Sequence, residues 1–202
     1  MIGQNANILI VSPSKGWRTV QDLVASAKAK PGSINYGSAG VGTATHIAAE
    51  KFRVAAGFEA VHVAYKGGAE ALADVLGGRV DFYFCPISTA LPFIADGRVA
   101  ALAVSTATRA SDLPNVPTTL EAGYANSDLA IWYGVLMPAK TPRALIDKFH
   151  TAGTKVLAAP AMRQKLKQLA VDPMPLTPAE MDKFVADEIA ANGSVIKAVG
   201  IQ

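Results

Sequence analysis

The chain has 202 residues, of which 50% are apolar and 17% are charged, so it has the composition of a folded globular protein with a sizeable core. Its formal net charge is +3, spread evenly along the chain without a basic stripe, which argues against nucleic acid as a partner. A single cysteine excludes an intrachain disulfide, and without a His/Cys cluster we expect no metal or other cofactor. No apolar run is long enough to cross a bilayer, so we expect no direct membrane insertion.

Strand-like and helix-like segments alternate through the first half of the chain. Apolar runs predict strands at 7–12, 34–36, 60–65, 81–85 and 99–105. Amphipathic spacing predicts helices at 17–30, 44–56, 69–76 and 88–95. Such alternation is typical of parallel strands joined by crossover helices, the α/β class.

The last third of the chain is dominated by helices. One long apolar strand is predicted over 129–137, followed by helices at 142–158, 161–169 and 178–199, the first with Thr141 as its cap and Pro142 at its first position. Three amphipathic helices need more sheet than one strand supplies. They either cover strands that this sequence does not include or pack on one another and on the first sheet.

A glycine-rich junction joins the strand at 34–36 to the helix at 44–56. It reads NYGSAGVGTATH, and residues 31–49 contain no Asp, Glu, Lys or Arg. A negative ligand here would be held by backbone N–H groups, by the hydroxyls of Ser38, Thr43 and Thr45, and by the helix N-terminus. The spacing fits neither a P-loop nor a dinucleotide fingerprint, and a plain capped turn explains it equally well. We expect His46 to be neutral and to donate a hydrogen bond to nearby backbone.

Two further junctions follow the strands at 60–65 and 81–85, and in an open parallel sheet they lie at the same carboxyl edge. Lys66 could supply the cation that the glycine-rich junction lacks, or it could be a solvated surface lysine. Cys85 lies at the end of a strand before Pro86, with no base near it in sequence, so we expect a buried and inert thiol. A thiol enzyme built on Cys85 is the alternative.

Four separated stretches, in order, carry a resemblance to a known family. They are INYGSAGVGTATHIAAEKF, VHVAYKGGAEALADVLGGRVDFYF, ALPFIADGRVAALAVSTATRASDLPNVPTTLEAGY and IWYGVLMPAKTPRALIDKF. Together they are similar to the extracytoplasmic solute receptors of the tripartite tricarboxylate transporter system, the TctC-like or Bug receptors.

The resemblance implies an α/β protein of the type II periplasmic-binding-protein class, which captures a small carboxylate for membrane transporter subunits or for signalling and is not an enzyme. It also implies a periplasmic location. The family's second-lobe loop matches residues 37–46, which makes Ser38, Ala39, Gly40, Gly42, Thr43 and His46 the implied ligand positions. Lys66, Cys85 and Pro86 complete the candidate site, and the Cys85-Pro86 pair suggests a different or more apolar ligand than in many relatives.

Nothing in the sequence matches the glycine-rich loop of the family's first lobe. We therefore expect residues 1–13 to be a crossover strand, 14–126 the second lobe, and 127–202 the return strand and helices of a first lobe whose N-terminal part is absent. The apolar faces of the C-terminal helices would then be uncovered, which predicts self-association. The residues on these faces are Leu145, Ile146, Phe149, Leu166 and Phe184. A regulatory domain of the same fold and a truncated product without stable function are the alternatives.

Overall fold

The computed structural model describes residues 1–200, apart from the side chain of Val199, and shows an α/β protein. Its strands are β1 Gly3–Val11, β2 Asn35–Ser38, β3 Val61–Ala64, β4 Phe82–Pro86, β5 Ala100–Val104, β6 Ala130–Tyr133 and β7 Asp172–Pro173. Its helices are α1 Val20–Ala29, α2 Ala44–Ala56, α3 Gly68–Leu76, α4 Ile87–Ala95, α5 Arg143–Ala158, α6 Pro160–Gln168 and α7 Pro178–Val199.

The chain forms two compact units. The larger contains Ala6–Ala130 together with the segment that begins at Val195, and the smaller contains Met1–Asn5 and Ile131–Ser194. In the larger unit the strands lie in the order β3-β2-β4-β1-β5. The predicted α/β alternation is confirmed there, since β2 is parallel to both β3 and β4. β1, however, runs antiparallel to β4 and β5, because a buried strand shows the same continuous apolar run in either direction.

An aromatic cluster fills the core between the sheet and the helices of the larger unit. Phe52 of α2 is fully buried and meets the rings of Phe58, Phe82, Phe84 and Tyr124 edge to face, at centroid distances of 5.4–6.3 Å. This packing fixes α2 against β4, and with it the junction that leads from β2 into α2.

The smaller unit corrects two predictions. The strand predicted over 129–137 is too long, because β6 covers only Ala130–Tyr133 and the apolar residues that follow have no strand partner among the described residues. Thr141 does not cap α5, because Pro142 has an extended backbone with ψ 135° and the helix begins one residue later, at Arg143. Gly3 and Gln4 at the start of β1 pair with β7, a strand of two residues that sequence periodicity does not indicate.

Helix α5 has no buried residue, although its sequence is amphipathic. Leu145 and Phe149 are 55% and 49% exposed, which agrees with the uncovered apolar faces expected from the sequence. The prediction of an uncovered face is wrong for Leu166, which is buried within the smaller unit. Phe184 is half-buried, with its ring 5.8 Å from that of Trp132. Among the described residues, no helix combines the length and apolarity needed to cross a membrane.

Replacing Phe52 by alanine should lower the free energy of unfolding by about 3–5 kcal/mol, because it leaves a cavity at the centre of the aromatic cluster. Urea unfolding followed by circular dichroism measures the loss. Val54→Ala on the same helix is the matched control, since Val54 is 50% exposed and its truncation should change stability by less than about 0.5 kcal/mol. Equal effects of the two substitutions would contradict the assignment of the core.

Candidate functional site

The connection between β2 and α2, residues 39–43, is called the glycine loop below. Its centre is Gly40, whose φ of 132° lies in a region that residues with a side chain rarely adopt. The hydroxyl oxygen of Ser38 lies 3.1 Å from both the amide nitrogen and the carbonyl oxygen of Gly40. The Thr43 hydroxyl donates to the same carbonyl at 2.7 Å. The two hydroxyls therefore fix the loop from its two ends.

Three further loop amides find partners within the junction. The Ala39 amide donates to Oγ1 of Thr45 at 2.9 Å, and the Gly42 amide donates to Nδ1 of His46 at 3.1 Å. The Thr43 amide donates to the Gly40 carbonyl at 3.3 Å. The conformation of the loop thus needs no ligand to satisfy these groups.

The first amides of α2 differ from those of the loop. Thr43 occupies the N-cap position, but its hydroxyl is turned toward Gly40 and accepts no hydrogen bond from a backbone amide of the helix. Within the described chain the amides of Ala44, Thr45 and His46 have no hydrogen-bond partner. Three unpaired N–H groups at the positive end of a helix form a site suited to an anion.

His46 is neutral in this arrangement, because burial lowers its pKa and its Nδ1 accepts the Gly42 N–H bond. It therefore accepts a backbone hydrogen bond, whereas the sequence led us to expect that it donates one. The structure brings six of the sequence-derived site positions together in one junction: Ser38, Ala39, Gly40, Gly42, Thr43 and His46.

Lys66 lies in the turn that follows β3, beside the glycine loop. The amide of the preceding residue, Tyr65, donates to the Ser38 carbonyl at 3.1 Å, and a Cβ added to Gly40 would lie 3.4 Å from the Tyr65 carbonyl oxygen. Lys66 is exposed, and its own amide donates to Oε2 of Glu70 at 3.1 Å. The turn after β3 is therefore adjacent to the glycine loop through Tyr65, and the solvated Lys66 is the next residue in sequence.

Cys85 and Pro86 end β4, opposite Ile8 and Asn7 of β1. The Cys85 side chain is fully buried, and burial raises the pKa of its thiol to about 12, so the thiolate needed for nucleophilic attack does not form near neutral pH. Pro86 is half-buried and is the N-cap residue of α4. The structure therefore gives Cys85 no accessible thiol for a ligand or a reaction.

A cavity of about 550 Å³ beside the glycine loop, lined in part by charged side chains, was missed in the sequence. Tyr36 donates to Oε1 of Glu50 at 2.5 Å, and Arg53 binds the same carboxylate at 2.6 Å. Burial alone would raise the pKa of Glu50, but the hydrogen bonds from Arg53 and Tyr36 outweigh it and leave that pKa lowered. His46, Glu50 and Arg53 share one helix face by their spacing of four and three residues, a signal that could have been found in the sequence.

The wall of this cavity also includes His62 of β3, whose ring stacks on that of His46. No group of three His, Cys, Asp or Glu side chains suited to a metal ion occurs in the described part of the chain.

Asn7 was also missed. It is fully buried in β1, and both polar atoms of its carboxamide are without a hydrogen-bond partner among the described residues. Its backbone is fully paired, with the amide donating to Oγ of Ser105 at 3.1 Å and the carbonyl accepting from the Ser105 amide at 2.8 Å. The place of Asn7 in an apolar strand predicts only that it is buried. The tertiary structure is needed to show that its side-chain carboxamide is unpaired.

Comparison with known proteins gives consistent matches. The family model for the tripartite tricarboxylate transporter family receptor matches residues 1–201. A UPF0065 protein from the tcbD-tcbE intergenic region of Pseudomonas sp. strain P51 is 34% identical over 166 residues, which cover 82% of this chain and 49% of that protein. The chain therefore spans about half the length of this curated relative.

Two solved structures show the same fold over nearly the whole chain. R. palustris Rpa4515 with adipate has a TM-score of 0.85 and 32% identity, covering 99% of this chain and 67% of that one. The periplasmic binding protein BugD has a TM-score of 0.79 and 27% identity, covering 100% of this chain and 69% of that one.

Asn7→Leu should raise the free energy of unfolding by about 1–3 kcal/mol, because it replaces a buried unpaired amide by an apolar group of similar size. Urea unfolding measures the gain. Asn115→Leu on an exposed loop is the control and should leave stability unchanged within about 0.5 kcal/mol. A loss of stability in Asn7→Leu would show that the amide is paired in solution.

Proposed function

The chain belongs to the tripartite tricarboxylate transporter receptor family, a family of solute-binding receptors and not of enzymes, and from this we propose that it binds a small carboxylate at the glycine loop. The observation that carries the proposal is the set of unpaired amides of Ala44, Thr45 and His46. Because residues 31–49 contain no charged side chain, these amides and the helix dipole supply the positive potential.

The same geometry and one relative support the choice of a carboxylate. A carboxylate is small enough to be held by backbone amides, and Rpa4515, the relative at 32% identity, was determined with adipate. We therefore take aliphatic dicarboxylates as the first probes. We assign to Lys66, which is exposed and directly follows the contact residue Tyr65, a second negative group of the ligand.

The remainder of the proposal concerns the whole receptor. Residues 14–126 form the lobe that carries the glycine loop, and residues 127–202 supply helices to the other lobe. The receptor works in the periplasm, as the relative BugD is a periplasmic binding protein, and delivers its ligand to the membrane subunits of a tripartite transporter.

Adipate should raise the melting temperature of the protein, because a ligand that binds only the native state stabilises it by about 2.7 kcal/mol at one hundred times its Kd. Calorimetry at pH 7.5 then gives the affinity, with inorganic phosphate as a comparison anion. Gly40→Val should weaken binding at least tenfold, since the new side chain is strained at φ 132° and approaches the Tyr65 carbonyl.

Gly16→Val is the matched control for Gly40→Val. Gly16 also has a positive φ, of 73°, but an added Cβ there has no atom within 4 Å. Both substitutions introduce backbone strain, so only a selective loss of adipate binding in Gly40→Val supports the proposed site. Equal affinities of the two variants would exclude the loop, and the absence of any thermal shift at millimolar dicarboxylate would contradict the proposed function.

We also propose that the smaller unit associates with a second copy of the chain. Leu145, Phe149 and Val156 form an apolar stripe on α5 and are about half exposed, and a groove of about 770 Å³ lies beside them. Burying this surface in a symmetric contact would remove apolar area that α5 otherwise leaves in water.

Sedimentation velocity over a range of concentrations should detect a dimer. Phe149→Asp should shift the population to monomer, because a charge would lie within the apolar contact. Lys155→Asp, at an exposed position of the same helix, should leave the sedimentation coefficient unchanged. A monomeric wild-type protein at all concentrations would contradict the proposal.

A further inference from the structure

We propose that His62 is a positioning residue for the carboxylate site, which holds the glycine loop through His46 and Ser38, and that protonation of this histidine pair releases the loop and weakens ligand binding. The inference rests on the proposed function. It goes beyond it by assigning a role to a residue outside the glycine loop and by predicting an acid-dependent affinity.

The two imidazole rings are stacked face to face. The ring centroids of His46 and His62 are 3.8 Å apart and the ring planes differ by 10°. The Tyr36 ring lies 4.9 Å from His62 at an angle of 15°, which extends the stack toward β2. His62 is therefore packed between residues of α2 and β2 although β3 is the last strand of the sheet.

One histidine is hydrogen-bonded to the residue that precedes the glycine loop, and the other to a residue near the end of the loop. Nε2 of His62 lies 2.7 Å from the hydroxyl oxygen of Ser38, and that hydroxyl in turn contacts Gly40. Nδ1 of His46 accepts the amide hydrogen of Gly42. The stack thus joins the first and last parts of the loop, and displacing one ring would disturb both.

The charges around the pair favour its neutral form. The titratable or charged groups that line the cavity are Tyr36 of β2, His46, Glu50 and Arg53 of α2, and Glu59 and His62 at or before β3. The buried carboxylate of Glu50 would attract a proton to the pair, but Arg53 and Tyr36 already bind it. Burial and the neighbouring His46 lower the pKa of His62 to about 4.

Protonation is incompatible with the observed contacts. A proton on Nδ1 of His46 removes the acceptor of the Gly42 amide, and two imidazolium rings at this separation repel each other. In the unfolded chain a histidine titrates near pH 6.5, so the folded state is progressively destabilised as the pH falls from about 6.5 toward 4. The loop should therefore loosen over this interval, while above about pH 7 the pair is neutral and the site intact.

A metal ion does not explain the pair. Two rings stacked face to face direct their nitrogen lone pairs in their own planes and not toward a common point between them. The described residues provide no third ligating side chain at a suitable distance. The geometry instead points to a packed and hydrogen-bonded support for the loop.

The test measures adipate affinity by calorimetry between pH 7.5 and 4.5 in the wild type, His62→Phe and His150→Gln. Phenylalanine preserves a flat ring for the stack but lacks the Ser38 bond and cannot be protonated. His150 is in α5 of the smaller unit and serves as the control. At each pH the protonation of adipate is the same for the three proteins, so only ratios of affinities between proteins at one pH are interpreted.

We expect His62→Phe to bind about three- to tenfold more weakly than the wild type at pH 7.5, with the ratio of the two affinities narrowing as the pH falls to 4.5, while His150→Gln follows the wild type throughout. A constant ratio between His62→Phe and the wild type at all pH values would overturn the acid release. Equal affinities at pH 7.5 would overturn the positioning role.

A second measurement needs neither a variant nor a ligand. In NMR titration of the free wild-type protein, the His46 and His62 rings should titrate well below pH 6.5, and the Gly42 amide should shift with the same midpoint. Titration near pH 6.5, or a Gly42 amide that does not follow, would overturn the inference even if adipate binds. If adipate does not bind but the coupled titration is seen, the proposed function fails and the support of the loop by the pair stands.

Discussion

The junction between β2 and α2 is governed by one constraint, that its backbone must satisfy its polar groups without any charged side chain. The glycine loop does so by folding on itself, with the hydroxyls of Ser38 and Thr43 both directed at Gly40. Because Thr43 is used in this way, it does not cap α2. The first three amides of the helix are left unpaired, so the self-contained loop and the unpaired start of the helix are two consequences of the same hydrogen bonds.

The surroundings of the junction make that arrangement stable. The aromatic cluster around Phe52 holds α2 on the sheet, and nearly two turns earlier the same helix presents His46 to His62. Next to the stack, the buried carboxylate of Glu50 is fully bound by Tyr36 and Arg53. A buried charge without such partners would be costly, so this network allows polar groups to line a cavity inside a well-packed unit.

Several features were predictable because they depend on local sequence. The limits of α2 and the turn after β3 follow from apolar spacing and from glycines, and the family resemblance implies the candidate ligand positions in the glycine loop. The antiparallel direction of β1 was not predictable, since a buried strand has the same pattern in either orientation. The strand over 129–137 was overextended because apolar residues alone do not supply a pairing partner, and beyond Tyr133 none is present among the described residues.

The sequence by itself determined the α/β class, the family resemblance and the neutral, glycine-rich character of the junction, because these depend on residue type and spacing. Only the tertiary structure decided which amides remain unpaired, since that depends on where the hydroxyl of Thr43 points. It also decided that Asn7 is buried without a partner and that His62, sixteen residues after His46 in sequence, lies against it ring to ring. Such contacts arise between separate elements of the fold, and no local pattern records them.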